Sequence, residues 1–145
     1  MAYVSLDSDQ IKRAHKKHKY TKEQVEQLEQ CMDEKTGPLF FMKTFMKIQH
    51  PTKGEMPFDP YPYQERLIEA YNSHRFSISM LPRQTGKTTC ASGYLIWYAM
   101  FRPDSQILIA AHKYAGASDI MSRVRYAYEM LPSWIKAGVT QYNRN

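Results

Sequence analysis

The chain has 145 residues and a formal net charge of +6, with 43% hydrophobic and 23% charged residues. That is the composition of an ordinary soluble globular protein, one domain or part of one, with enough apolar residues to bury a core and a charge that favours polyanionic partners. No apolar run approaches the ~18 residues of a membrane-spanning helix, Met1–Ser5 lacks the apolar core of a secretory signal, and two cysteines, Cys31 and Cys90, make neither a disulfide framework nor a metal site.

In chain order, the first feature is the basic run Lys12-Arg13-Ala14-His15-Lys16-Lys17-His18-Lys19, which has no acidic relief. It reads either as a nucleic-acid contact strip or, as is commoner for such runs, as a solvated tail. Residues 1–20 are therefore expected to form a basic N-terminal tail. Thr21 followed by Gln24 makes a capping box, and Val25, Leu28 and Met32 recur on one helical face, which predicts a helix to about Glu34. Gly37-Pro38 breaks the chain, and Pro38 suits the first turn of a second helix through the apolar stretch Leu39–Ile48. Pro51, Gly54, Pro57 and Pro60 make Gln49–Pro60 a loop or linker. Residues 21–60 thus read as a helical subdomain with its linker.

Residues 61–145 change character. Tyr61–Asn72 predicts a helix, and Phe76-Ser77-Ile78-Ser79-Met80 alternates apolar and polar as a strand does. Leu81-Pro82-Arg83-Gln84-Thr85-Gly86-Lys87-Thr88-Thr89 follows at once, then a buried helix from Thr88 to Arg102. A turn at Arg102–Ser105, a buried strand at Gln106–Ala110, a helix from Tyr114 to Leu131 and the start of a strand at Val139–Tyr142 complete a βαβα pattern. That pattern predicts an α/β fold, the beginning of a parallel sheet. Such a sheet needs more strands, so the chain is expected to be an incomplete portion of a P-loop domain.

The chemistry lies in Leu81–Thr89. Gly-Lys-Thr alone is a weak signal, but strand, tight loop, Lys-Thr and helix together form the setting of a phosphate-binding P-loop. Backbone N–H groups of Thr85 to Thr89 would face a phosphate on the positive end of the helix. Lys87 would reach the β and γ phosphates, and the Thr88 hydroxyl would ligate Mg²⁺. Leu81 stands where the usual motif has its first glycine, and Pro82 supplies no N–H, yet the donors that hold phosphate come later in the loop. Arg83 is a candidate for paired hydrogen bonds to a γ-phosphate or for a salt bridge on the loop's outer face. Tyr63-Gln64 offers a stacking face and a donor–acceptor amide for adenine, or plain helix surface. Lys113, after the second strand, is a candidate phosphate or DNA contact or simply a solvated lysine. Hydrolysis further needs an apolar strand ending in Asp, with a Glu to polarise water; the only candidate, Ile107–Ala111, ends in His112-Lys113.

Taken together, Pro62-Tyr63-Gln64, Arg83-Gln84-Thr85-Gly86-Lys87-Thr88 and Ile109-Ala110-Ala111-His112-Lys113 resemble the large terminase subunit of tailed bacteriophages, most closely the T4-like packaging motors, and the likeness extends from about Ile11 to Asn143. The resemblance implies a RecA-like ATPase of the additional-strand type that drives viral DNA into a capsid in the host cytoplasm. It implies ATP and Mg²⁺ as cofactors, with Tyr63, Gln64, Gln84, Thr85, Gly86, Lys87, Thr88 and Thr89 around the nucleotide. It makes Gln64 the adenine reader, Arg83 an arginine supplied within the loop, and Thr88 the metal ligand. Double-stranded DNA, portal protein and the small terminase subunit are the implied partners. The family's acidic strand and nuclease are not in this sequence, so the expectation is nucleotide binding without hydrolysis. The alternatives are a piece of a superfamily-2 helicase-like ATPase, or a non-enzymatic interaction module completed by a second, C-terminal polypeptide.

Overall fold

A computed structural model describes residues 11–15, 17–50, 52 and 54–141. What the sequence leads one to expect of residues 1–10, Lys16, Pro51 and Tyr142–Asn145 lies outside the described residues. Five helices and one hairpin run in the order α1 (Lys22–Met32), α2 (Gly37–Phe45), β1 (Lys47–His50), β2 (Gly54–Pro57), α3 (Pro62–Ser73), α4 (Lys87–Phe101) and α5 (Tyr114–Glu129). No helix among the described residues is long and apolar enough to cross a membrane.

Local chemistry sets most boundaries. The expected capping box forms at α1: the Gln24 N–H donates to Thr21 Oγ1, and the Thr21 N–H donates to Gln24 Oε1 at 3.0 Å. Pro38 occupies the first turn of α2, where its missing N–H costs nothing. α2 stops at Phe45, and Lys47–His50, expected as helix and linker, pairs antiparallel with Gly54–Pro57. Gly54, at φ +73°, takes the left-handed conformation that starts the returning strand, and a diagonal Lys47–Glu55 ion pair crosses the ribbon.

The core is built around α4, which packs against α2, α3 and α5. Phe41, Met42 and Phe45 of α2 meet Cys90, Ile96 and Trp97 of α4, with Leu67 and Ile68 from α3 and Ala127, Tyr128, Leu131 and Ile135 closing the other side. Trp97 is fully buried, and its indole N–H donates to the Cys31 carbonyl at 2.7 Å, satisfying a carbonyl in the last turn of α1. Cys31 and Cys90 are free thiols. Burial pushes the Cys31 thiol up to about 12 and that of Cys90 to about 11. Both ionise more readily in the unfolded chain, so their contribution to stability is full below the ordinary thiol range. It is lost as pH rises from about 9 toward 11–12. Native protein at pH 8.5 is expected to resist alkylation by iodoacetamide at both positions until denaturant is added, as mass spectrometry will register; fast native labelling would contradict their burial.

Two departures from the sequence reading bear on function. The start of the basic run is not a solvated tail. Ile11 is buried, Lys12 and Ala14 exchange backbone hydrogen bonds with Val139, and Lys12 Nζ donates to the Trp134 carbonyl. Residues 17–19 of the run remain exposed. The expected parallel sheet is also absent among the described residues. Its two strand segments, Phe76–Met80 and Gln106–Ala110, form no ladder, and the only sheet among the described residues is the β1–β2 hairpin. Consecutive strands of a parallel sheet need not be neighbours, and a strand without a neighbour leaves its N–H and C=O groups to water. Val139, expected to open a strand, makes a single parallel bridge to Arg13.

The result is a row of exposed apolar side chains. Phe76 is 81% exposed, Ile78 94%, Met80 93% and Leu108 91%. On the other side of the second segment, Ile107 and Ile109 line a groove with Tyr114, Ala117 and Met121 of α5. Unpaired backbone beside apolar side chains promotes self-association. The chain by itself is expected to elute from a sizing column as concentration-dependent oligomers, and an Ile78→Lys/Leu108→Lys double variant as a monomer. A wild-type monomer at high concentration would refute this.

Candidate functional site

The loop between Phe76–Met80 and α4 gathers the residues singled out in the sequence. α4 begins at Lys87 behind Gly86, which has φ +76° and ψ 12° and provides no side-chain cap. Its first in-helix bond is Cys90 N–H to Gly86 O at 2.9 Å, so the N–H groups of Lys87, Thr88 and Thr89 have no carbonyl within the helix. Gln84, at φ +63°, is a second left-handed residue two positions earlier. Alternation of left-handed and ordinary residues turns successive N–H groups to one side, the concave arrangement that holds anions. A Cβ at position 86 would lie 2.5 Å from Gln64 Nε2, so both the backbone angle and the packing demand glycine there.

Lys87 folds back over the loop. Its Nζ donates to the Leu81 carbonyl at 3.2 Å and to the Pro82 carbonyl at 3.1 Å, and Thr85 Oγ1 donates to the same Pro82 oxygen. The departure from glycine at positions 81 and 82 therefore leaves the two carbonyls on which the lysine rests. Arg83 and Gln84 are exposed, and Arg83 pairs with no acidic group among the described residues. The Thr88 hydroxyl makes no hydrogen bond among the described residues, and no carboxylate there reaches Lys87 or Thr88. Thr89 departs from the expected cluster, because it lines a cleft of about 330 Å³ on the side of β1 and α5, with Lys47, Ser92, Asp119 and Arg123. Only its backbone N–H belongs to the loop. Lys113 is exposed at the N-cap of α5.

Tyr63 and Gln64 enter from α3, and both reach the loop. The Tyr63 hydroxyl donates to the Thr85 carbonyl at 2.9 Å and Gln64 Nε2 donates to the same oxygen at 3.0 Å. The other end of the Gln64 amide accepts the Tyr61 N–H at 2.9 Å, the return half of a capping box at the third position of α3. Gln64 is only 6% exposed, and the Tyr63 ring stacks on Tyr61 at 5.9 Å. Sequence reasoning placed the pair near a nucleotide but missed the Thr85 carbonyl as their shared acceptor. The available signal was the third position of a helix opening at Tyr61-Pro62, where a glutamine turns back to the N-cap.

The arrangement is thus a loop with two left-handed residues, an ammonium that rests on backbone carbonyls, and an uncapped helix N-terminus, all tied to α3 by two side chains. A comparison with protein families finds a match over residues 78–145, which takes in this loop, α4 and α5 and leaves Tyr63 and Gln64 outside. The matching model is described as terminase large subunit, T4likevirus-type, N-terminal, and it is this family that residues 78–145 are similar to.

Proposed function

We propose that Leu81–Thr89 is a P-loop that binds ATP with Mg²⁺, and that the chain supplies the nucleotide-binding part of a motor that moves double-stranded DNA into a viral capsid. The observation that carries this reading is the concave backbone at Gln84–Gly86, set against Lys87 and the uncapped start of α4. The N–H groups of Thr85 to Thr89 and the Lys87 ammonium hold the triphosphate, with Lys87 exchanging the carbonyls of Leu81 and Pro82 for phosphate oxygens. Thr88 fits one ligand position of Mg²⁺, since its hydroxyl has no protein partner among the described residues and follows Lys87 at the helix start. When bound, the ion screens the phosphate charge. Exposed Arg83 turns onto the γ-phosphate.

In this reading Phe76–Met80 and Gln106–Ala110 are two strands of a RecA-like parallel sheet, separated by strands contributed from elsewhere. Their exposed apolar row also favours a second reading, an interaction module that another polypeptide completes. The test is titration of a fluorescent ATP analogue with Mg²⁺ into wild type and Lys87→Ala. Saturable binding lost in the variant supports the P-loop. No binding by folded wild type supports the module.

A further inference from the structure

We propose that the cleft of about 330 Å³ between β1, α4 and α5 binds a phosphate monoester carried on a small hydroxylated body, at a site separate from the Leu81–Thr89 loop.

Three observations converge on it. The first is a hydroxyl without a partner. Ser92 of α4 is 1% exposed and lines the cleft, and its Oγ makes no hydrogen bond among the described residues. A buried hydroxyl left unpaired is costly, so a group that enters the cleft and bonds it is favoured. Thr89, one turn earlier on the same helix, brings a second hydroxyl to the same cleft.

The second is a pair of cations with donors to spare. Arg123 Nε donates to Asp119 Oδ2 at 3.1 Å, which leaves both terminal nitrogens of the guanidinium and the other Asp119 oxygen outside that bond. From β1, Lys47 Nζ donates to Glu55 with one of its three N–H groups. Both ion pairs are half-exposed and therefore weak. A phosphoryl group placed between Lys47 and Arg123 gains charge-assisted hydrogen bonds from two elements without breaking either pair.

The third is size. The cleft is many times the ~30 Å³ of one water and falls within the ordinary range of small-ligand pockets. Met46, Ile48 and Ala127 form its apolar side, where a carbon body would lie, and the spare Asp119 oxygen would accept from that body's hydroxyls. A bare anion would use neither.

The experiment is calorimetric titration of ribose 5-phosphate, inorganic phosphate and ribose into wild type, Ser92→Ala, Arg123→Gln and Lys87→Ala. Ribose 5-phosphate is expected to bind tightest. Ser92→Ala and Arg123→Gln are each expected to weaken it roughly tenfold or more, the effect of one lost charge-assisted hydrogen bond. Lys87→Ala, at the loop, is expected to leave it unchanged. Without ligand, Ser92→Ala is expected to melt no lower than wild type, because it removes an unpaired hydroxyl; its lost affinity is then no sign of a damaged fold. Should it melt lower, Arg123→Gln, at an exposed position, decides alone. A wild type that binds no ribose 5-phosphate overturns the proposal, as does undiminished binding in a variant of the cleft. Binding lost in Lys87→Ala would seat the ligand in the loop, sinking the cleft while leaving the P-loop reading intact. Ribose or inorganic phosphate binding as tightly as the ester would overturn the assigned ligand class.

Discussion

Lys87→Ala is expected to lower affinity for a magnesium nucleotide roughly a hundredfold or more while leaving the fold intact. The ammonium is the one charged group in the loop whose position is set by backbone contacts on two sides, to the carbonyls of Leu81 and Pro82. Those neutral acceptors are weaker partners than phosphate oxygens, so the exchange on binding is favourable. Two charge-assisted hydrogen bonds at about 1.5–3 kcal/mol each give the expected loss. Stability changes little, because no residue of Leu81–Thr89 is fully buried and the lysine contributes nothing to the apolar core. Lys87→Arg is expected to recover only part of the affinity, since a planar fork does not reproduce a compact point charge in a tight loop. Titration together with thermal unfolding checks both halves of the expectation. Undiminished binding in the alanine variant would remove the basis for a P-loop here.

The second large effect is on stability. Trp97→Ala is expected to cost about 3–5 kcal/mol from the cavity alone, with about 1–3 kcal/mol more for the Cys31 carbonyl left without its donor. Against the ~5–15 kcal/mol stability of a typical domain, that brings the chain close to unfolding. Trp97 joins three layers. Its ring lies among Tyr94, Tyr98 and Phe101 of its own helix, its N–H holds the end of α1, and the Arg102 guanidinium sits 5.3 Å from its centroid. The approach of α2 depends on it as well, since a Cβ at Gly37 would run into the Cys31 carbonyl and meet the indole nitrogen at 3.3 Å. Trp97→Phe separates the contributions by keeping most of the volume and removing the donor; urea unfolding in a Trp134→Phe background would follow Trp97 alone in the parent. A midpoint for Trp97→Ala equal to that of wild type would contradict the packing described.

Both effects trace back to features of different legibility. The capping box at Thr21, the proline at the start of α2, and the long helices α4 and α5 were readable because each depends on residues within a few positions of one another. The Gly-Lys-Thr turn was readable for the same reason: glycine's freedom and the helix start are local properties. What local pattern could not supply was pairing. Phe76–Met80 and Gln106–Ala110 carry the alternation and apolarity of strands, but a strand exists only with a neighbour, and sequence does not say which segment that neighbour is. Lys47–His50 shows the converse, an apolar-flanked stretch expected in a helix and linker that becomes a strand because Gly54–Pro57 folds back onto it.

The site divides along the same line. Sequence by itself determined that Arg83, Gln84, Thr85, Gly86, Lys87 and Thr88 share one loop at a helix start, because they are consecutive and their chemistry requires no distant partner. Only the tertiary structure decided that Tyr63 and Gln64, more than twenty positions upstream, meet at the Thr85 carbonyl, and that the Thr89 side chain lines a different cleft. It also decided that the start of the basic run lies against Val139 and Trp134. The physical reason is common to all three. Hydrogen bonds and burial between distant segments depend on how the helices pack against α4, and that packing is the sum of many small apolar contacts that no local pattern encodes.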